Sequence, residues 1–309
     1  RKTVNFFDTF ISILDIAKKL RKINPDIVFS YTHKAVIVGS ISALLAGKFR
    51  SISLITGTGH IFDDDNFMQK IKKFLGIAGF KLSLLFSELV FFQNPDDLEL
   101  FCSLGMTTPE KSRLVNGSGV DLKKFSQAPL PDSPVFLCMA RLIKSKGLLD
   151  YANASKIVKL AYPNARFLLY GFPDDHEDSI EESEIINSWK DNYGVEYFGF
   201  TNDPVDTISK CSVYVLLSYN EGTPRSVLEA MAMGRPIITT DVPGCRETVS
   251  EGSNGYLVAL KDPQSAADAM IKLLDHDLRE DMGASSRYIC EEKYDVHLVN
   301  QSIIEGLKI

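Results

Sequence analysis

The run Val213-Tyr214-Val215-Leu216-Leu217-Ser218-Tyr219-Asn220-Glu221-Gly222-Thr223-Pro224-Arg225-Ser226-Val227-Leu228-Glu229-Ala230-Met231-Ala232-Met233-Gly234-Arg235-Pro236-Ile237-Ile238-Thr239-Thr240 reads as one complete strand, loop, helix and strand. Residues 213–217 form a short, continuously apolar segment, the pattern of a strand buried on both faces of a parallel sheet. Pro224 suits the first turn of a helix, and residues 226–233 continue it. Gly234 and Pro236 stop that helix before the next β-branched segment at 237–240. Backbone N–H groups at such a helix start lack partners and form a phosphate site. Glu221 stands before the start and Glu229 two turns into the helix. Carboxylates accept hydrogen bonds from hydroxyls, which suits a sugar and a ribose; two solvated surface carboxylates are the alternative at this spacing.

The same alternation extends in both directions. Strands are expected at residues 26–30, 51–56, 88–93, 135–139, 166–170, 195–198 and 255–258. Helices are expected at 10–20, 35–46, 98–102, 148–160 and 179–192. Strands separated by helices form parallel sheets with crossover connections, so the class is α/β with two doubly wound, Rossmann-like domains. Pro129, Pro131 and Pro134 fall within residues 127–134 and exclude helix or central strand there. That stretch reads as a linker between a first domain (1–126) and a second (135–284), with a terminal helical segment (285–309). Ligands of such sheets sit outside the carboxyl ends of the strands. The places to look are therefore residues 56–60, 140–147, 171, 218–225 and 241–247.

With 309 residues, 45% hydrophobic and 24% charged, the chain is neither disordered nor fibrous and can bury two ordinary cores. Five scattered cysteines without a CxxC pair exclude a disulfide framework and a thiolate zinc site and fit a reducing cytosol. No apolar run reaches the ~20 residues a spanning helix needs. Residues 1–130 carry 17 Lys+Arg and 12 Asp+Glu, a balance of +5; the rest carries 17 and 28, a balance of −11. An acidic chain without a basic stripe interleaved with aromatics argues against nucleic acid as a partner. The stretch 69–86, with Lys70, Lys72, Lys73 and Lys81 among Phe74, Phe80, Leu82, Leu85 and Phe86, is basic and amphipathic. It suits either contact with an anionic membrane surface or the solvated side of a core helix.

The run from Glu221 to Glu229, followed by Gly234-Arg235-Pro236-Ile237-Ile238-Thr239-Thr240-Asp241-Val242-Pro243-Gly244-Cys245-Arg246-Glu247, resembles the E-x7-E signature of the retaining glycosyltransferases of family 4. Ala140-Arg141-Leu142-Ile143-Lys144-Ser145-Lys146-Gly147 is similar to the family's segment whose Arg and Lys clamp the donor diphosphate. Two cations just past a strand can neutralise a departing nucleoside diphosphate. Residues 116–121 resemble the segment before the family's hinge, and residues 199–203 its loop near the nucleobase. Thr56-Gly57-Thr58-Gly59-His60-Ile61-Phe62 resembles an acceptor-facing loop of the branch acting on bacterial polysaccharides and lipid-linked glycans, with Thr58-Gly59-His60 where that branch often has Leu-Gly-Tyr.

The resemblance implies a GT-B fold, two Rossmann-like domains facing a cleft, with the final helix returning to the first domain. It implies transfer of a sugar from a nucleotide donor, UDP-hexose or UDP-N-acetylhexosamine favoured and GDP-mannose second, to a glycan or polyprenyl-diphosphate-linked sugar. Arg141, Lys146 and Glu221 are then the catalytic set. Gly171, Phe200, Gly222, Thr223, Pro224, Arg225, Ser226 and Glu229 are the donor-binding set. Gly57, Gly59, His60 and His33 lie on the acceptor side. No metal or cofactor is expected, because Asp63-Asp64-Asp65 reads as a solvated loop tip. Gly57-Thr58-Gly59 fails as a dinucleotide fingerprint because Phe62 stands where the third glycine belongs. The expected location is the cytoplasm or the cytoplasmic face of the inner membrane. Family members start with a strand, a glycine-rich loop and a further βαβ stretch, so the first domain is expected to lack its N-terminal segment. A catalytically incompetent sugar-nucleotide-binding or scaffold protein of the same fold is the rival reading.

Overall fold

The computed structural model describes residues 6–47, 49–58, 67–174 and 178–307, with 6–7, 67–73 and 75 described by backbone alone. By packing the chain divides into two units: one runs up to Gly117 and takes in the residues from Gln301 on, and the other is Ser118–Asn300.

The first unit carries α1 (Phe6–Ile23), β1 (Ile27–Tyr31), α2 (His33–Ala46), β2 (Arg50–Ile55), α3 (Phe67–Leu85), β3 (Leu89–Phe92), α4 (Pro95–Ser103) and β4 (Ser112–Leu114). Its sheet is parallel in the order β1-β2-β3-β4, and successive strands are therefore neighbours. On one face Phe80, Phe92 and Phe101 meet edge to face, with ring centroids 5.2 and 5.3 Å apart. On the other, Ile52, Leu54, Phe91 and Val115 pack with Ile303 and Leu307. The last turns of the chain thus complete the first unit's core. A Cβ at Gly306 would lie 2.7 Å from the Phe91 ring, so only glycine lets that helix approach so closely. β4, three residues and mostly polar, gives no periodic signal and was not expected from sequence.

The second unit comprises β5 (Val135–Met139), α5 (Leu148–Ala161), β6 (Arg166–Tyr170), α6 (Glu182–Glu184), α7 (Lys190–Tyr193), β7 (Val195–Tyr197), α8 (Pro204–Ser209), β8 (Val213–Leu216), α9 (Arg225–Ala232), β9 (Ile237–Thr240), β10 (Gly255–Val258), α10 (Pro263–Lys272), α11 (His276–Ile289) and the start of α12 (Val296–Leu307). Its parallel sheet runs β10-β9-β8-β5-β6-β7. The chain enters at β5, winds outward to β7, then returns to the other side of β5 as β8. That reversal puts the topological switch point between β5 and β8, where ligands of open α/β sheets bind.

Three expectations are corrected here. Residues 127–134 carry no helix or strand, but they are pinned rather than free. The Arg235 guanidinium is fully buried and donates to the carbonyls of Ala128 (2.6 Å), Pro129 (3.1 Å), Ile208 (3.2 Å), Ser209 (3.3 Å) and Met233 (2.9 Å). Arg279 reaches Asp132 O at 3.0 Å, and Arg287 reaches Phe125 O at 3.1 Å. Carbonyl dipoles solvate these charges, and residues 118–134 belong to the second unit. The helix expected over 179–192 is interrupted by a π-helical stretch, Ile185–Trp189, that turns Ile185 and Trp189 into the core. The terminal segment is likewise two helices, broken by a π-helical stretch at Cys290–Tyr294.

Candidate active site

The loops after β5 and β8 touch backbone to backbone. Gly147 has φ +64°, and a Cβ there would stand 2.0 Å from Leu217 O, while Tyr219 N donates to Ser145 O at 2.9 Å. This contact brings Lys146 and Glu221 together: the Lys146 ammonium is ion-paired with Glu221 Oε1, which also accepts from Ser218 Oγ at 2.8 Å. The two side chains are 15% and 16% exposed, so the pair is screened from bulk water yet still reachable. A third loop braces it. Gly244, after β9, has φ +81°, and a Cβ there would meet Glu221 O at 2.3 Å and Gly222 O at 2.5 Å. Tyr219 anchors the outer part of the loop through its hydroxyl to Asp150 Oδ2 at 2.9 Å.

Arg141, 44% exposed, pairs with Asp174. The loop carrying Asp174 is set against the β5 loop because Gly171 leaves no room for a Cβ, 2.2 Å from Ala140 O. Gly171 N in turn donates to Gly199 O at 2.9 Å. Beyond these glycines Phe172 and Phe200 meet edge-on, centroids 5.5 Å apart, and both are exposed. Sequence reasoning singled out Phe200 and placed Ser218 in a loop to search without pairing it with Glu221, and it missed Phe172 and Asp174. The signal for Phe172 was present, since β6 and β7 are each followed by a Gly-Phe pair, Gly171-Phe172 and Gly199-Phe200.

At α9 the helix starts at Arg225, with Pro224 as its N-cap rather than inside its first turn. Thr223 Oγ1 donates to Gly222 O at 2.9 Å. Glu229 is buried, and Arg225 reaches it at 3.2 Å. Burial pushes the Glu229 carboxyl above its ordinary value, with Arg225 and Lys124 opposing. Ser226 lies against the Tyr214 phenol, which donates to Met139 O at 3.1 Å. The two glutamates therefore face different partners: Glu221 the cation from the β5 loop, Glu229 the arginine one turn back on its own helix.

In the first unit the ends of β1 and β2 are joined through His33, whose Nε2 is hydrogen-bonded to Gly57 O and whose ring stands edge-on to Phe80 at 5.8 Å. Burial holds the His33 imidazole below its ordinary 6.5, the Gly57 carbonyl opposing. Thr32, at φ +72°, is a β-branched residue in a sparsely allowed region, so the turn carrying His33 is strained. Gly59, His60 and the tip Asp63-Asp64-Asp65 lie outside the described residues.

Residues 120–288 match the family described as Glycosyl transferases group 1. The chain belongs to this family. The matched segment lies wholly within the second unit and contains Arg141, Lys146, Glu221 and Glu229. Among related proteins, the N,N'-diacetylbacillosaminyl-diphospho-undecaprenol alpha-1,3-N-acetylgalactosaminyltransferase of Campylobacter jejuni is 27% identical, over 99% of this chain and 82% of that protein. The UDP-Gal:alpha-D-GlcNAc-diphosphoundecaprenol alpha-1,3-galactosyltransferase of Escherichia coli is 26% identical, over 93% of this chain and 76% of its own length. Among solved structures, HepE of Anabaena in complex with UDP superposes with a TM-score of 0.78 at 19% identity, over 96% of this chain and 81% of that one. This group 1 glycosyltransferase is an enzyme of the GT-B fold.

Proposed function

We propose that this group 1 glycosyltransferase moves a hexose or N-acetylhexosamine from a UDP-sugar to a polyprenyl-diphosphate-linked sugar or growing glycan, with retention of anomeric configuration. The observation that carries the reading is the Lys146, Glu221 and Ser218 cluster at the switch point of the second sheet. Glu221 accepts hydrogen bonds from donor-sugar hydroxyls and Glu229 from the ribose. Arg141 and Lys146 take the diphosphate. As the anomeric C–O bond to UDP breaks, the negative charge that develops is met by these two cations. The leaving phosphate oxygen takes the proton of the acceptor hydroxyl, and the new bond forms on the face the leaving group vacates. No protein base and no metal is required in this scheme.

Both cations already hold carboxylates, Lys146 that of Glu221 and Arg141 that of Asp174. Donor binding is thus an exchange in which phosphate oxygens displace or share these partners. The lipid-linked acceptor is favoured by the names of the relatives and by α3, whose exposed Phe74, Leu82 and Leu85 lie with Lys81. Such a helix suits the headgroup boundary of an anionic bilayer, which would place the enzyme at the cytoplasmic face of the membrane. Among the described residues no helix is long and apolar enough to cross one.

The test is a thermal-shift titration with UDP, GDP and CMP on the wild type and Arg141→Ala. A ligand at a hundredfold excess over its Kd stabilises the folded chain by about 2.7 kcal/mol. A rise with UDP that Arg141→Ala removes supports the reading. Preference for GDP overturns the uridine assignment, and no shift with any nucleotide overturns donor binding.

A further inference from the structure

A groove of about 510 Å³ opens on the second unit between the segment joining β9 to β10 and the end of α11. Its lining is chemically unlike the charged donor site. Lys293 brings one positive charge, Ser250, Ser253 and Ser285 bring three hydroxyls, and Tyr288 stands beside them with 64% of its surface exposed, while the carboxylate oxygens of Glu247, also in the lining, are buried. Lys293 Nζ donates to Glu247 O at 3.1 Å, and Tyr294 OH donates to the same carbonyl at 2.5 Å, which fixes the wall. Lys293 loses proton affinity through burial, with Glu247 restoring part of it. Among the described residues no protein group hydrogen-bonds the hydroxyls of the three serines or of Tyr288.

The Lys293 ammonium is already held by the Glu247 carbonyl and feels the Glu247 charge, so a simple anion gains little here. A ligand offering both donors and acceptors, with an apolar C–H face to lay on a phenol ring, gains most. We propose that this groove is a second carbohydrate site, which binds neutral hexose or N-acetylhexosamine units of a glycan outside the transfer site. The inference rests on the reading that the enzyme handles glycans, and it extends that reading from the transferred sugar to the chain that carries it.

The experiment uses saturation-transfer NMR and calorimetry with triacetylchitotriose and maltotriose on the whole chain, saturated with UDP to fill the donor site. Variants are Tyr288→Ala, Tyr288→Phe, the pair Ser253→Ala with Ser285→Ala, and Glu221→Gln. The expected result is binding of at least one sugar in the wild type, Tyr288→Phe and Glu221→Gln. Binding should weaken at least about tenfold in Tyr288→Ala and in the serine pair. Tyr288 is exposed, so its truncation does not threaten the fold, and the UDP thermal shift on each sample reports that the donor site is intact. Binding of neither sugar, binding that ignores Tyr288→Ala, or binding of inorganic phosphate in place of both sugars overturns the proposal. Loss of the UDP shift in the wild type would instead count against the donor reading.

Discussion

The carboxyl ends of the two parallel sheets are finished in opposite ways. At the second sheet they gather charge: Lys146 with Glu221, Arg141 with Asp174 and Arg225 with Glu229, all within loops that follow β5, β6 and β8 or at the start of α9. At the first sheet the described strand ends are joined by a neutral imidazole and a carbonyl, His33 and Gly57. That unit's Arg50 and Glu88 pair instead at the other end of the sheet, where β2 and β3 begin. In the proposed reaction the donor diphosphate requires countercharge, whereas the sugar hydroxyl that receives the transferred unit requires shape and hydrogen bonds. The contrast predicts that electrostatic substitutions act strongly on the second unit and weakly on the first.

The largest effect is expected at Glu221. Glu221→Gln keeps an oxygen for the Ser218 hydroxyl but removes the charge opposite Lys146. Transfer should fall by about two to three orders of magnitude, with UDP binding retained. The substitution to glutamine is cleaner than one to alanine, because Glu221 is not a loose loop residue: truncation would leave a screened ammonium without its carboxylate. Turnover within a few-fold of wild type in a folded Glu221→Gln protein would break the comparison at its centre.

Next comes the brace beneath it. Gly244→Ala adds a methyl group 2.3 Å from Glu221 O, whereas Gly252→Ala, at a similar positive φ, has nothing within 4 Å. Both carry the left-handed backbone penalty of about 1 kcal/mol, but only Gly244→Ala must also move the loop that holds Glu221. Transfer should drop at least about tenfold in Gly244→Ala and stay near wild type in Gly252→Ala. Equal activities in the two variants would mean that the β9 loop does not position Glu221.

How much of this was legible beforehand differs by mechanism. The β8 to β9 unit was readable because its strand, loop, helix start and both glutamates are consecutive, and the fold followed from the alternation around it. Asn94-Pro95, Asp203-Pro204 and Asp262-Pro263 each open a helix with a capping side chain and a proline at the first position. A helix was expected after the first of these, at 98–102, but not after the other two, so α8 and α10 were missed. The pairing of Arg141 with Asp174 was hidden because the partners lie 33 residues apart and meet only through the close contact of Gly171 with Ala140. The strapping of residues 127–134 was hidden for the same reason. Prolines exclude helix locally, but the arginines that pin the segment come from about a hundred residues away or more.

A smaller effect tests whether Asp174 competes with the donor. The pair is partly exposed, and such pairs are worth about 0.2–1 kcal/mol. Asp174→Asn should therefore tighten UDP binding by up to about fivefold, read by calorimetry. The gain should shrink as salt screens the pair. Weaker UDP binding in Asp174→Asn would show that the carboxylate orients Arg141 rather than occupying it.

The smallest effect belongs to the first unit and is a matter of pH. Burial holds His33 below its ordinary 6.5, so between the folded and unfolded values the unfolded chain binds more protons than the folded one. Stability from this site is therefore complete above about 6.5 and is lost as the pH falls below it, toward the lowered folded value. His33→Gln removes the titrating group while keeping a side chain able to donate to Gly57 O. At about pH 7.5 the variant should melt a little lower, having lost the ring contact with Phe80. By about pH 5.5 the gap in Tm should have narrowed by roughly 2 °C, because only the wild type continues to pay for keeping the imidazole neutral. Parallel melting curves across that range would mean that His33 is protonated as readily in the folded chain as in the unfolded one. The junction of β1 and β2 would then offer no electrostatic contrast of its own, and the comparison between the two units would rest on their ion pairs alone.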